Sequence, residues 1–479
     1  MKIDLMGIKQ SPLFFLLLLS FTPTYSNIRL PAIFGDNMVL QQQSQVKLWG
    51  WGEPGEKLIV TTSWNNKTYQ PVIVDGNANW QLLIQTPAAG GPYNIQLKGN
   101  NQLSITNVLA GEVWLCSGQS NMEMSGQWGL QDIKDECPKA KNKDIRFFRV
   151  LKAAAPYPQQ DCSGEWMVCD SATLLNFSAT AYFFGKRLNN TLHFPVGLIQ
   201  ACWSGSSAEI WTPDSIINND KILKEAATQI AANGQVSNLP GYAYNAMIAP
   251  LTHFTIAGVI WYQGENNTIN ASVYPRLFPA MIDSWRGAWH KDLPFYFVQI
   301  APFNYKTKNT GALMREAQTR CARHSNTGMV IITDLVTDVN NVHPSNKHDV
   351  GLRLANRALA ETYHQPGIVY KYPLFERLNL DKDKAIIFIS NAGKGLEAHG
   401  TAATQLFIAG PDSVFHPAKA VFKNNCIIAW SDEVQQPVAV RYEFSDTAIG
   451  NIFSKDGLPL GAFRTDDWPV ENEYKPVNE

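Results

Sequence analysis

The sequence predicts an α/β protein, a parallel sheet flanked by helices and set between an N-terminal and a C-terminal β-rich region. Three observations predict it. Short β-prone runs split by turn signals fill residues 27–105, compact apolar strands alternate with helical stretches over 106–363, and β texture returns over 364–479. At 479 residues the chain is too long for one hydrophobic core. The three stretches are therefore expected as domains, and they should pack closely because no repeat or low-complexity linker divides them.

Taken in order, residues 1–26 have the form of a cleaved signal peptide. Lys2 and Lys9 supply positive charge, Pro12–Phe21 is a short apolar run, and Thr24-Tyr25-Ser26 offers small residues for cleavage. The run is too short to span a bilayer and no later segment is long enough, so the mature chain is expected to be secreted or periplasmic, without membrane insertion. In the N-terminal region Val46–Trp51, Leu58–Ser63 and Trp80–Ile84 are β-prone, separated by Glu53-Pro-Gly55, Asp75-Gly76 and Gly90-Gly-Pro92. Such spacing predicts a small sandwich. In the middle region Val113–Cys116, Val196–Gln200, Ile256–Trp261, Phe295–Ile300 and Met329–Ile332 read as buried strands, with helices over Ala312–Arg323 and His348–Thr362. Ala385–Ile389, Gln405–Ala409 and Val438–Tyr442 are the clearest strands of the last region.

Bulk properties exclude some function classes. A formal net charge of −1 provides no field to attract nucleic acid or an anionic membrane. Fourteen Trp and sixteen Tyr could stack on sugar rings or fill sandwich cores. Seven Cys is an odd number for an exported chain. Cys162 and Cys169 are close enough in sequence to bridge, whereas Cys116, Cys202 and Cys426 sit in apolar strand-like contexts and are expected as buried thiols. No Cys/His spacing suggests zinc, so neither metal nor cofactor is expected. Acceptor triplets include those at Asn66, Asn176 and Asn266, and a glycan on Asn266 would crowd the candidate site described next. That favours a host that does not glycosylate, such as a bacterial periplasm. Oligomeric state leaves no mark on the sequence.

The chemistry-bearing segment begins at Gly111. The apolar run Val113–Cys116 stops in Ser117-Gly-Gln-Ser-Asn121, delivering a small polar residue to the end of a buried strand. Ser120 is a candidate nucleophile; the alternative is a turn in which Ser120 and Asn121 cap the next helix. His343 lies in the loop between a strand and a helix, where Pro344 stiffens the turn, and is the candidate base; the alternative is a surface histidine. Gly205, in Trp203-Ser-Gly-Ser206, could bring a backbone N–H to an oxyanion or serve an ordinary β-to-α turn. In Trp261-Tyr-Gln-Gly-Glu-Asn266, Gln263 could donate a side-chain N–H to the oxyanion and Glu265 could fix neighbouring groups. Glu265 has no partner carboxylate at a spacing that suggests a glycosidase.

Gly118-Gln-Ser-Asn-Met122, Trp261-Tyr-Gln-Gly-Glu265 and Val342-His-Pro344 with Asn346-Lys347 resemble the sialate O-acetylesterase family, a branch of the SGNH hydrolases. Further matches run almost the whole mature chain: Asp36–Gln41, Trp49-Gly-Trp-Gly-Glu-Pro-Gly55, Glu209-Ile-Trp211, Arg315-Glu-Ala-Gln318 and Phe463-Arg-Thr-Asp466 among them. The resemblance implies an SGNH-type sheet, Ser120 as nucleophile, His343 as general base and then acid, and an oxyanion hole from Ser120, Gly205 and Gln263. Many SGNH relatives carry Asn where this chain has Gln263, and Asp three residues before the histidine where this chain has Asn340. A Ser120–His343 dyad is therefore expected, oriented by a backbone carbonyl or another carboxylate, for which Asp338 and Asp334 are the local candidates. Gln119, Asn121, Glu265, Asn245 and Arg315 are candidate substrate-binding residues, Arg315 as partner for a sialic acid carboxylate. The expected activity is removal of O-acetyl groups from sialic acids by serine acyl transfer. An acetylxylan or other polysaccharide acetylesterase is the alternative within this chemistry. A non-catalytic carbohydrate-binding protein is the alternative outside it, and leaves the groups at three separate strand ends unexplained.

Overall fold

A computed structural model describes residues 27–228, 230 and 239–475; the expected signal peptide lies outside them. Strand β1 (Gln45–Trp51) pairs antiparallel with β2 (Asn79–Gln85), and Trp49 stands opposite Gln81, Trp51 opposite Asn79. β3 (Gln102–Gly118) is 17 residues long and serves two sheets. Its first half pairs antiparallel with Gly90–Lys98 and runs parallel to Val39–Gln41, while its second half enters the central sheet. The boundary expected at 105/106 falls inside this strand. From Val108 onward every residue of β3 is buried, because a parallel sheet covered on both faces tolerates no polar alternation.

After β3 come helix α1 (Ser120–Glu123), β4 (Asn142–Arg149), β5 (Trp166–Cys169), α2 (Ala179–Leu192), β6 (Val196–Cys202), β7 (Gly258–Tyr262), α3 (Tyr274–Trp289), β8 (Phe295–Val298), α4 (Thr310–Cys321), β9 (Thr327–Val330) and α5 (Lys347–Glu361). The central order is β5-β4-β6-β3-β7-β8-β9. All neighbours are parallel except β5 against β4. Strand order reverses at β3, which has β6 on one side and β7 on the other. The crevice beyond the carboxyl ends of strands at such a reversal is where α/β sheets bind ligands.

The C-terminal stretch forms two four-stranded antiparallel sheets with a core of their own. They are tied to α4: the Asp446 carboxylate accepts from the N–H groups of Asn309, Gly311 and Ala312, and Arg464 grips Glu316 with two bonds of 3.1 Å.

Two expectations about sulfur are corrected. Cys162 and Cys169 are free thiols, the second turned to the Ala140 carbonyl within the β5 packing. Cys426 is only half-buried, at the start of its strand, whereas Cys116 and Cys202 are buried as expected. Among the described residues no helix is long and apolar enough to cross a membrane, and no group of three His, Cys, Asp or Glu could hold a metal ion.

Candidate active site

Gly118 ends β3 at φ 136°, where a Cβ would lie 2.2 Å from the Tyr262 carbonyl oxygen. Only glycine permits that turn, and it places Ser120 at the first position of α1, beside the ends of both neighbouring strands. Ser120 Oγ lies 2.9 Å from His343 Nε2, across 223 residues of sequence. Trp128 packs its ring edge against the imidazole, with centroids 5.5 Å apart.

The next residue, Asn121, ties this pair together. Its Nδ2 donates to the Val342 carbonyl at 3.1 Å, gripping the loop that carries His343, and to Glu265 Oε1 at 2.5 Å. Its Oδ1 accepts from Lys347 Nζ at 2.6 Å. Lys347 is fully buried, with its ammonium 5.1 Å from the Tyr262 ring centre. Burial pushes its pKa down to about 7, against the opposing pull of Glu265 and Asp132. Burial also raises the Glu265 carboxyl, although the Asn121 bond and Lys347 oppose it, and Glu265 Oε2 has no hydrogen-bond partner. His343 is held below the usual imidazole range by burial first and by the Lys347 charge second, so it stays neutral into acidic solution.

The loop after β6 is fastened to the same helix. Glu123 Oε2 accepts from Ser204 N at 2.8 Å and Ser204 Oγ at 2.7 Å, and its Oε1 pairs with Lys152 at 2.6 Å. Gly205, at φ 72°, follows directly on this clamp.

Several expected roles do not fit the geometry. Gln263 is fully buried and spends both side-chain N–H groups on Asn267 Oδ1 (2.7 Å) and the Ser206 carbonyl (3.3 Å), while Tyr274 donates to its oxygen. No donor remains for an oxyanion. Gln119 is different: its Oε1 accepts from Gly264 N and Asn266 N, which fixes the amide, and its Nε2 makes no hydrogen bond among the described residues. Arg315 is fully buried in α4 and donates to the carbonyls of Ser445, Glu443 and Asp446, so it braces the C-terminal sheets and cannot reach a substrate carboxylate. Asn245 is buried and holds the Ala155 carbonyl at 3.1 Å. Asp334 gives both oxygens to Arg353, and Asp338 accepts from Asn340 N in a tight turn; neither bonds to His343.

Sequence reasoning gave Lys347 and Glu123 no role. For Lys347 a signal existed, because it occupies the apolar stripe of α5 with Val350, Gly351 and Leu354. A lysine on the buried side of an amphipathic helix requires a partner.

A serine hydroxyl within hydrogen-bond reach of a neutral imidazole is the arrangement that serine acyl transfer requires. Residues 110–360 match the family model described as carbohydrate esterase, sialic acid-specific acetylesterase. The chain belongs to this family. Among curated members, this carbohydrate esterase is 28% identical to human sialate O-acetylesterase over 397 residues, 75% of this chain and 76% of that one. To the mouse sialate O-acetylesterase it is 27% identical over 414 residues, 74% of this chain and 76% of that one. Its structure is similar to that of a carbohydrate acetylesterase from Xanthomonas citri, with TM-score 0.85 and 35% identity, covering 92% of this chain and all of the other. The protein is thus an esterase that removes O-acetyl groups from carbohydrate.

Proposed function

We propose that this esterase deacetylates sialic acids through an SGNH-type dyad of Ser120 and His343. The contact of 2.9 Å between Ser120 Oγ and His343 Nε2 carries the reading. Ser120 Oγ attacks the acetyl carbonyl carbon while His343 Nε2 takes its proton. The tetrahedral intermediate collapses, and the sugar oxygen leaves with the proton from His343. Water then attacks the acetyl-serine, giving its proton to His343; acetate departs and Ser120 is reprotonated. The oxyanion is met by the Ser120 N–H, which as the first residue of α1 has no intrahelical acceptor, by Gly205 N–H, and by Gln119 Nε2 in place of Gln263.

Among the described residues no carboxylate bonds to the imidazole, so orientation falls to its loop. Asn121 holds the Val342 carbonyl, Lys347 and Glu265 hold Asn121, and burial first, then the Lys347 charge, lowers the His343 pKa. The signal-like residues 1–26 support export, to the periplasm or outside the cell.

One observation favours a second substrate, an acetylated neutral polysaccharide: Arg315, the residue matched to a sialic acid carboxylate, is fully buried. The test is acetate release from O-acetylated sialic acid and from acetylated xylan, wild type against Ser120→Ala. Faster turnover of the sialic acid, abolished in the variant, is expected. Preference for xylan selects the second substrate, and turnover surviving in Ser120→Ala overturns the nucleophile.

A further inference from the structure

Strand β1 alternates strictly: Val46, Leu48 and Gly50 are buried, while Trp49 and Trp51 stand half-exposed on the other face. Residues directly opposite on β2 are Gln81 and Asn79, so the outward face of this ribbon carries two tryptophans side by side with two amides. The outer face of a two-stranded ribbon is ordinarily polar. Tryptophan left partly in solvent there gives up burial energy that an inward position would supply.

This face forms one wall of a cavity of about 520 Å³ at the seam between the ribbon and the α/β region, with Gln159, Gln160 and His253 contributed from across the seam. The volume lies in the range of small-molecule sites, which favour such seams. Trp51 Nε1 donates to Gln160 Oε1 at 3.1 Å, and Trp49 meets the His253 ring edge-on at 5.7 Å, so the walls are braced against each other. Hydrogen-bonding capacity remains unused: among the described residues the side chains of Gln81 and His253, Gln160 Nε2 and Asp75 Oδ2 make no hydrogen bond. Among the described residues that line the cavity Asp75 is the one carboxylate and none is Lys or Arg, although Arg29 stands over the Trp51 ring at 5.2 Å.

We propose that this cavity is a second carbohydrate-binding site, which holds a neutral sugar unit of the glycan whose acetyl group is removed at Ser120. Aromatic faces cover the C–H faces of a sugar ring, and the amides and Asp75 meet its hydroxyls, while Arg29 stands 5.2 Å from the Trp51 ring centre and offsets the Asp75 charge, so that a neutral ring suits the wall. Placement fits: Lys152 pairs with Glu123 on α1, and Gln160 of the same segment receives Trp51. Eight residues reach at most about 28 Å, a span that a glycan of several units covers. The proposal rests on the carbohydrate-esterase activity and extends it to the chain beyond the acetylated sugar.

The test is calorimetric titration of full-length Ser120→Ala with xylohexaose, cellohexaose and, as the anionic comparator, N-acetylneuraminic acid. A neutral hexasaccharide should bind, and adding Trp51→Ala should weaken it by at least about tenfold. The exposed Gln81→Arg, which removes no aromatic ring, should weaken it as well. Trp51→Ala on the wild-type background should leave turnover of 4-nitrophenyl acetate unchanged and raise KM for the acetylated polysaccharide. Binding that neither substitution weakens, absence of binding by both hexasaccharides, or Trp51-dependent binding of the anionic sugar overturns the site. None of those results touches the Ser120 reading, which stands or falls on acetate release alone.

Discussion

At the residue scale, the role of an amide is decided by the bonds it already makes. Gln263 and Gln119 both follow strand ends of the central sheet, but Gln263 is saturated, whereas Gln119 Nε2 has no hydrogen-bond partner among the described residues. Gln119→Ala should therefore lower kcat by about 10²–10³-fold, the usual cost of one oxyanion donor, beyond any stability lost as the Gly264 and Asn266 N–H groups give up their long bonds to Oε1. Gln263→Ala should instead cost about 1–3 kcal/mol of stability by leaving Asn267 and Tyr274 without their partner. Urea unfolding alongside kinetics separates the two. Lys347 acts on His343 through charge as well as geometry. His343 must be neutral to accept a proton, so the acid limb of the rate profile should lie below the ordinary imidazole pKa of about 6.5. Lys347→Met removes the positive charge, raises the imidazole pKa and should move that limb to higher pH, with a fall in kcat. An unmoved limb in a folded variant contradicts this account. The stability sign is the reverse of a salt bridge: the Lys347 pKa is about 7 folded against 10.5 for an exposed lysine, so the unfolded chain binds more protons between those values. Wild-type stability should gain from Lys347 as pH rises through that window, and the methionine variant should lose that gain.

At the element scale, most of the central sheet was legible because parallel strands buried on both faces read as unbroken apolar runs. The expected strands overlap β3, β6, β7, β8 and β9, and the expected helices overlap α4 and α5 with ends shifted by one or two residues. Legibility stopped at side-chain direction. A helical pattern places Arg315 on α4 but not its guanidinium, which turns inward to carbonyls from residues 443–446. Those partners are more than a hundred positions away, beyond any local signal. The start of α4 shows the same dependence. Asp446 accepts three of its N–H groups, so Asp446→Ala should destabilise the fold by about 1–2 kcal/mol, in the manner of a lost helix cap. Unchanged urea unfolding would show that water replaces it at no cost.

At the scale of the whole molecule, chain order explains the site. Strand order reverses at β3, and the three loops that leave β6, β3 and β7 meet at one crevice, with the loop after β9 bringing His343 across. The strand ends of that meeting were readable in the sequence, because turn residues follow apolar runs at Ser120, Gly205 and Gln263. Which of them face the crevice depends on packing from α1, α3 and α5, and no local pattern carries it. On the proposed mechanism Ser120 Oγ, activated by His343 Nε2, forms the covalent intermediate. The most direct test is to treat the protein with an organophosphonate ester and locate the adduct by peptide mass spectrometry. One phosphonyl group is expected, on the peptide containing Ser120, formed far more slowly in His343→Ala. An adduct on another residue, or equal labelling rates in the two proteins, would contradict the mechanism.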